Sequence, residues 1–348
     1  MSARYTSGGL SMTDTSLLDL DTFRFRDLDP KIYLGTASDR YAGWVGQIYT
    51  KERYQGRITR RNRTVGGKSF TEEVLPVDSV EEYFEHFPVL EIDYTFYRPL
   101  LDTEGKPTQN YHVLRKYRQY MNKNDHLILK VPQMITAQKL RRGSDYRDNE
   151  TYLNPDVFTE RFYKPAVELL GSALTGLLFE QEYQRKQDRT PVKHMARELD
   201  TFFESIPKDT RYHVELRTES YLSDPVFEVL EKHGVGQVLS HWTWLPSLKK
   251  QFAKTKRRIF NASRQSVVRL MTPRGMRYEV AYDKAYPFDK LVEGMLHQEM
   301  VEDTVSLLKT ETEADIQTNI IINNRAGGNA PLIAQHIAER FIEASGIA

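Results

Sequence analysis

The chain has 348 residues, with 49 Lys and Arg against 48 Asp and Glu, so a net charge of +1 selects neither nucleic acid nor a membrane surface as partner. It contains no Cys, which removes disulfides, thiolate metal sites and cysteine nucleophiles and fits a reducing compartment. No run approaches the roughly 20 apolar residues that span a bilayer. The Ser/Thr/Asp-rich start, Met1–Asp29, lacks the basic and apolar regions of a signal peptide, so the expected location is cytoplasmic.

Residues 1–29 read as an N-terminal extension, with Leu17, Leu18, Leu20, Phe23 and Phe25 tying its second half onto the rest, and residues 30–348 as one domain. A first strand is predicted at Ile32–Gly35, then a long connection, Thr36–Asp78. The helix Ser79–Phe87 follows, with Val80, Tyr83, Phe84 and Phe87 on one stripe. Next come strand Val89–Asp93, helix Thr108–Met121, strand Leu127–Lys130, a second long connection, Thr136–Asn154, and helix Pro155–Leu170 opened by an Asn-Pro start signal. Strand Leu177–Gln181, helix Pro191–Ser205, strand Tyr212–Arg217 and helix Asp224–His233 continue the rhythm. Strand Val235–Ser240 and a short helix in Leu245–Ala253 lead to strand Val267–Arg269, helix Phe288–Lys309, strand Ile320–Asn324 and helix Pro331–Ala344. Eight alternating units predict an α/β fold, a closed (β/α)8 TIM barrel. A doubly wound open sheet is the alternative, and eight units fit it poorly. Both long connections fall where barrels carry functional loops.

Six segments carry distinctive patterns: Tyr33–Trp44 (YLGTASDRYAGW), Glu82–Pro99 (EYFEHFPVLEIDYTFYRP), Leu129–Thr136 (LKVPQMIT), Gly176–Gln181 (GLLFEQ), His213–Tyr221 (HVELRTESY) and Asn323–Pro331 (NNRAGGNAP). In this order they resemble the YecE-like proteins, a family of uncharacterised TIM-barrel proteins. The similarity spans about residues 31 to 345. Asp93 stands where the family usually has Asn, Tyr221 where it has Trp, and Ser38-Asp39 where it has Gly-Trp. The resemblance implies a barrel with a remote likeness to metal-dependent isomerases and endonucleases, and no established activity.

The predicted strand ends carry the chemistry. Residues i and i+2 of a strand share a face, so Glu91 points with Asp93 and Glu215 with Arg217. An isolated buried charge costs several kcal/mol, so these groups need partners, which Lys130 and Arg269 can supply. Glu91, Asp93, Glu180, Glu215 and His241 are the metal-ligand types at strand ends. The cations sharing that space oppose a divalent ion, and no cofactor motif is present. In the last block Asn323 and Asn324 end a strand, Gly327 and Gly328 form a turn, and Asn329 or Ala330 caps a helix. Its free amides favour an anion, although an ordinary turn explains the same residues.

Four connections gather basic residues: Arg53 to Lys68 after the first strand, Lys139 to Arg147 after the third, Arg185 to Arg189 after the fourth and Lys249 to Arg264 after the sixth. Placed at one rim, they would steer anions, and Tyr41, Trp44, Tyr54, Trp242, Trp244 and Phe252 could stack on bases or sugars. The reading these features support is an anionic, phosphorylated ligand at the C-terminal mouth, with phosphoester hydrolysis as the reaction. Arg217, Arg269 and Lys130 would hold the anion, and Glu91 or Glu215, or less plausibly the unpaired Tyr97, would move a proton. Asn323, Asn324, Gln181, His241 and Trp242 would line the site. The alternatives are a non-catalytic nucleic-acid-binding protein that uses the basic loops, and a metal-dependent sugar isomerase or lyase.

Overall fold

The computed structural model describes residues 18–20, 22–142 and 145–346. In chain order its strands are β1 (Ile32–Ala37), β2 (Thr59–Val65), β3 (Lys68–Val74), β4 (Val89–Ile92), β5 (His126–Lys130), β6 (Lys139–Arg142), β7 (Asp145–Asp148), β8 (Leu174–Glu180), β9 (Tyr212–Glu215), β10 (Gly236–His241), β11 (Gln265–Leu270) and β12 (Gln317–Ile322). Eight of them close into a parallel barrel in the order β1-β12-β11-β10-β9-β8-β5-β4. Near-continuous apolar runs require this burial on both faces, by a packed interior and a jacket of helices. All eight predicted barrel strands are present.

Alternation along each strand sorts its side chains. Leu34, Leu90, Leu129, Phe179, Val214, Leu239, Val268 and Ile320 face outward into the core shared with the helices. Ala37, Val89, Ile128, Leu178, Val238, Val267 and Ile321 fill the middle of the barrel. Two residues further along, the same inward faces present Glu91, Lys130, Glu180, Ser240, Arg269 and Asn323, so the apolar layer ends and a polar layer begins at the carboxyl ends. Below it His213 occupies space that Gly236 leaves, since a Cβ there would lie 2.2 Å from the imidazole Nδ1.

The first long connection contains the antiparallel hairpin β2–β3, turned by Gly66 and Gly67 with φ of +58° and +83°. The second contains the pair β6–β7. Neither was predicted, because strands such as Thr59–Val65 (TRRNRTV) carry almost no apolar residues. The hairpin β2–β3 docks on the helix Tyr278–Ala285, also unpredicted. Val65 and Phe70 pack with Ala281, Tyr282 and Phe288, and the Tyr282 hydroxyl donates to Glu72 at 2.5 Å. The helix predicted from Phe288 starts only at Gln298 and runs to Glu313. Phe288 itself sits at φ +73° in a turn, a conformation no helix accommodates. Leu20 and Phe25 are buried on the barrel, with Phe25 stacked on Phe87 at 4.6 Å, and Leu18 and Phe23 pack beside them; Leu17 lies outside the described residues. Among the described residues no helix is long and apolar enough to cross a membrane.

At the opposite end from the polar layer, Glu311 is fully buried and accepts hydrogen bonds from Ser266 at 3.1 Å and Thr318 at 2.6 Å. Burial pushes its carboxyl from an ordinary 4.5 up to about 7, against the lowering effect of the two hydroxyls. Between those values the folded state keeps a proton that the unfolded chain has lost, so stability falls as pH rises through the window. Urea unfolding of Glu311→Gln is expected to lack this contribution, which in the native chain amounts to about 3 kcal/mol between pH 4.5 and 7.5. Parallel pH–stability curves for the two proteins would contradict it.

Candidate functional site

Arg269, on the inward face of β11, is 1% exposed and needs its charge compensated. Three glutamates on three other strands do this. Nε and Nη2 donate to the two Glu91 oxygens at 2.8 and 2.7 Å, and Nη1 donates to Glu215 at 2.5 Å and Glu180 at 3.3 Å. Two further cations complete the balance. Lys130 Nζ pairs with Glu180 at 2.5 Å, and Arg217 Nη2 bridges Glu180 at 2.8 Å and Glu215 at 3.2 Å. Ser240 donates to the remaining Glu215 oxygen. Burial would raise the Glu180 carboxyl, but Arg217, Lys130 and Arg269 together hold it well below the usual carboxylate range. Burial would lower the Arg269 guanidinium, yet Glu215, Glu91 and Glu180 drive it higher still. Three carboxylates and three cations thus form a neutral, saturated floor.

The strand-end residues singled out from sequence meet here, though not every expected role survives. β4 stops at Ile92 and β9 at Glu215, so Asp93 and Arg217 lie just past their strands while still facing the mouth side. Glu91 and Glu215 are wholly buried on Arg269, and Arg269 has no side left toward solvent. Of the three, only Glu91 borders a cavity. Lys130, over the Phe96 ring at 4.0 Å, and Arg217, over Trp242 at 5.0 Å, form the upper edge of the floor. Asn323 accepts from the Arg325 amide at 3.0 Å. Asn324 accepts from the Trp44 indole at 3.1 Å and the Ala330 amide at 2.8 Å, so both side-chain oxygens hold the last loop together. The Gly327 and Gly328 amides are likewise bonded to the Asn324 carbonyl, and a Cβ on Gly328 would strike the Lys290 carbonyl at 2.3 Å. These glycines serve close packing rather than an amide nest. The helix cap is Asn329, through the Leu332 amide at 2.9 Å.

Gln181 and His241 are also buried. Desolvation, then His297 and Arg274, lowers His241 to about 3, which leaves it neutral. Tyr97 is 66% exposed beyond a turn formed by Tyr94–Phe96, and Thr95 belongs to that turn rather than to a strand end. Burial and the nearby Asp93 carboxylate raise the Tyr97 hydroxyl above the usual range and keep it protonated.

Two residues that the sequence did not single out as site residues stand out. Asp39, just past β1, is 2% exposed; Tyr117 donates to its Oδ1 at 2.8 Å and Oδ2 has no partner. Burial, opposed by Arg40, pushes this carboxyl up to about 6. Asp39 lines a cavity of about 110 Å³ with Glu91, Asp93, Tyr41, Arg63 and Glu72, roofed by the β2–β3 hairpin. The other is Arg325, stacked on Tyr278 at 4.3 Å and without a carboxylate partner among the described residues. Both lie in segments quoted for the family resemblance, but neither has a local pattern that marks it.

The basic residues of the first connection are largely compensated. Arg57 pairs with Asp78 at 2.7 Å, Arg60 with Glu73 at 2.9 Å, Arg61 and Arg63 with Glu72 at 2.7 and 3.1 Å, and Lys68 with Asp283 at 2.5 Å. Beyond the helix Leu248–Lys254 the chain returns to the start of β11. Arg258, paired with Glu231, and Arg264, bonded to the Ala314 carbonyl, therefore lie at the end away from the charged floor, not at the mouth. No group of three or more His, Asp or Glu is placed to hold a metal among the described residues. The space between the three glutamates is taken by the guanidinium.

A sequence profile described as protein of unknown function DUF72 matches residues 33–347. The chain belongs to the DUF72 family. A DUF72 protein of Thermotoga maritima is similar in structure, at a TM-score of 0.53 and 13% identity, covering 90% of this chain and 99% of the other. One from Enterococcus faecalis gives 0.51 and 14%, with 88% and 95% covered. At these identities the likeness establishes the fold of this DUF72 barrel. No curated protein matches it in sequence.

Removing Arg269 would strand the buried Glu91 and leave three carboxylates to two cations. Arg269→Met in this DUF72 barrel is expected to lose about 3–5 kcal/mol in urea unfolding. Lys130→Met should lose less, because Glu180 keeps two other cations. An Arg269→Met protein within about 1 kcal/mol of the native chain would contradict a charge-dependent floor.

Proposed function

We propose that the C-terminal mouth binds a small phosphorylated ligand and hydrolyses its phosphoester. The observation that carries this reading is Arg325. It is a cation without a carboxylate partner in the loop after β12, a region where barrels frequently hold phosphate. Its charge reaches Tyr41, as does that of Asp93, which ties it to the sector that contains Asp39. Lys130 and Arg217, at the upper edge of the neutral floor, are its cations nearest the mouth.

Asp39 supplies the proton chemistry in this reading. With its carboxyl near 6 it is ionised at neutral pH, yet more basic than an exposed aspartate, as a general base for water requires. Tyr117 fixes one oxygen and leaves the other free. Glu91 and Glu215 hold the cations in place rather than exchange protons. The pairing of the hairpin arginines speaks against an extended nucleic-acid surface, and the guanidinium between the glutamates speaks against a metal-dependent isomerase.

Thermal melting against a panel of phosphorylated metabolites tests the binding step. At ~100-fold excess over Kd, a ligand stabilises the native state by about 2.7 kcal/mol, several degrees in melting temperature. Arg325→Gln should abolish that shift without changing the ligand-free melting point. Phosphate release from the same compounds should rise through pH ~6 as Asp39 loses its proton, and Asp39→Asn should lower it by about 10²–10⁴-fold. A panel without a single shift in the native protein would end this reading.

A further inference from the structure

On the far side of the floor from Arg325, the loops after β8, β9 and β10 enclose an open groove of about 480 Å³ lined by Tyr183, Arg189, Glu219, Ser223, Trp244 and Lys254. That volume lies within the roughly 300–1,000 Å³ of small-molecule clefts. Tyr183 and Trp244 stack with centroids 5.6 Å apart and planes 25° from parallel, yet remain 40% and 45% exposed. Large aromatic rings left this open mark an interaction site more often than a packing need. Trp242 braces Tyr183 edge-on at 6.0 Å and carries Arg217 on its own ring, so the platform is anchored to the buried floor.

The groove sets two cations beside the exposed rings. Among the described residues Arg189 and Lys254 have no carboxylate partner, and Arg189 is held by the Gln184 carbonyl at 3.5 Å. The buried Ser223 hydroxyl oxygen also has no hydrogen-bond partner. Against these stands one exposed carboxylate, Glu219. Of the neighbouring cations, Lys256 pairs with Asp224 and Arg258 with Glu231.

We infer that this groove binds a nucleoside monophosphate, with the base on the Tyr183–Trp244 platform and the phosphate between Arg189 and Lys254. A plain sugar would use the rings but not the cations, and inorganic phosphate the cations but not the rings. A longer nucleic-acid strand would need a basic track running beyond the groove, and two of the cations beside it, Lys256 and Arg258, are neutralised by Asp224 and Glu231. This site is separate from the phosphoester site proposed at the mouth.

Calorimetric titration of the full chain with adenosine 5′-monophosphate, adenosine, inorganic phosphate and a short single-stranded oligonucleotide tests the assignment. The monophosphate is expected to bind at least ~10-fold more tightly than adenosine or phosphate alone. Trp244→Ala and Lys254→Ala should each weaken it by ~10-fold or more. Arg325→Gln should leave it unchanged, which separates this site from the mouth. Tyr183→Ala replaces Trp244→Ala should that variant fail to fold. Absence of monophosphate binding, affinity indifferent to the platform and Lys254 substitutions, or tighter binding of the oligonucleotide would each overturn the inference.

Discussion

A guanidinium at the centre of a barrel cannot stay there without carboxylates, and this requirement organises the carboxyl end of the fold. Arg269 reaches from β11 to Glu91 on β4, Glu180 on β8 and Glu215 on β9, so one side chain ties together walls that are not neighbours in the sheet. Three carboxylates around one cation would leave a surplus negative charge in low dielectric. Lys130 and Arg217 remove it, and each then rests on an aromatic ring, Phe96 or Trp242. The network is therefore closed electrostatically. It is a rigid neutral floor, and ligand chemistry falls to the residues above it.

That arrangement changes what the charged strand ends mean. Glu91, Glu215 and Arg269 have the residue types of a catalytic centre, but their bonds are directed at one another and at Glu180, Arg217 and Ser240. The groups left with unused capacity lie at the edges: Asp39 Oδ2 under the hairpin, Arg325 on Tyr278, and the pair Arg189 and Lys254 beside exposed aromatics. The hairpin β2–β3 reinforces this division. Its arginines are matched by Glu72 and Glu73 on the facing strand, and Arg57 just before it by Asp78, so the basic residues of the first connection are spent on holding the roof.

The barrel was legible in the sequence because buried parallel strands must be apolar throughout, and eight such runs leave few other architectures. Period-two alternation likewise pointed Glu91, Glu215, Lys130 and Arg269 inward from position alone. Asp93 and Arg217 lie just past their strands and still share the side of Glu91 and Glu215, although turns rather than the pleat place them there. The hairpins were hidden because β2 and β3 are stabilised by cross-strand ion pairs rather than by an apolar face. Asp39 was hidden because its environment is built by Tyr117 and Tyr49, 78 and 10 residues away. Arg325 sits in a motif where the asparagines and glycines draw attention, yet those residues are consumed by the loop itself.

The central claim, that Arg269 and the glutamates act as one charge-coupled unit, is tested most directly by a double-mutant cycle between Arg269→Met and Glu91→Leu, read by urea unfolding. Coupling above about 2 kcal/mol is the predicted result, because each single variant leaves a buried partner uncompensated and the double variant relieves part of that cost. Effects that add within about 0.5 kcal/mol would show that the two groups do not depend on each other, and the account of the floor would fail.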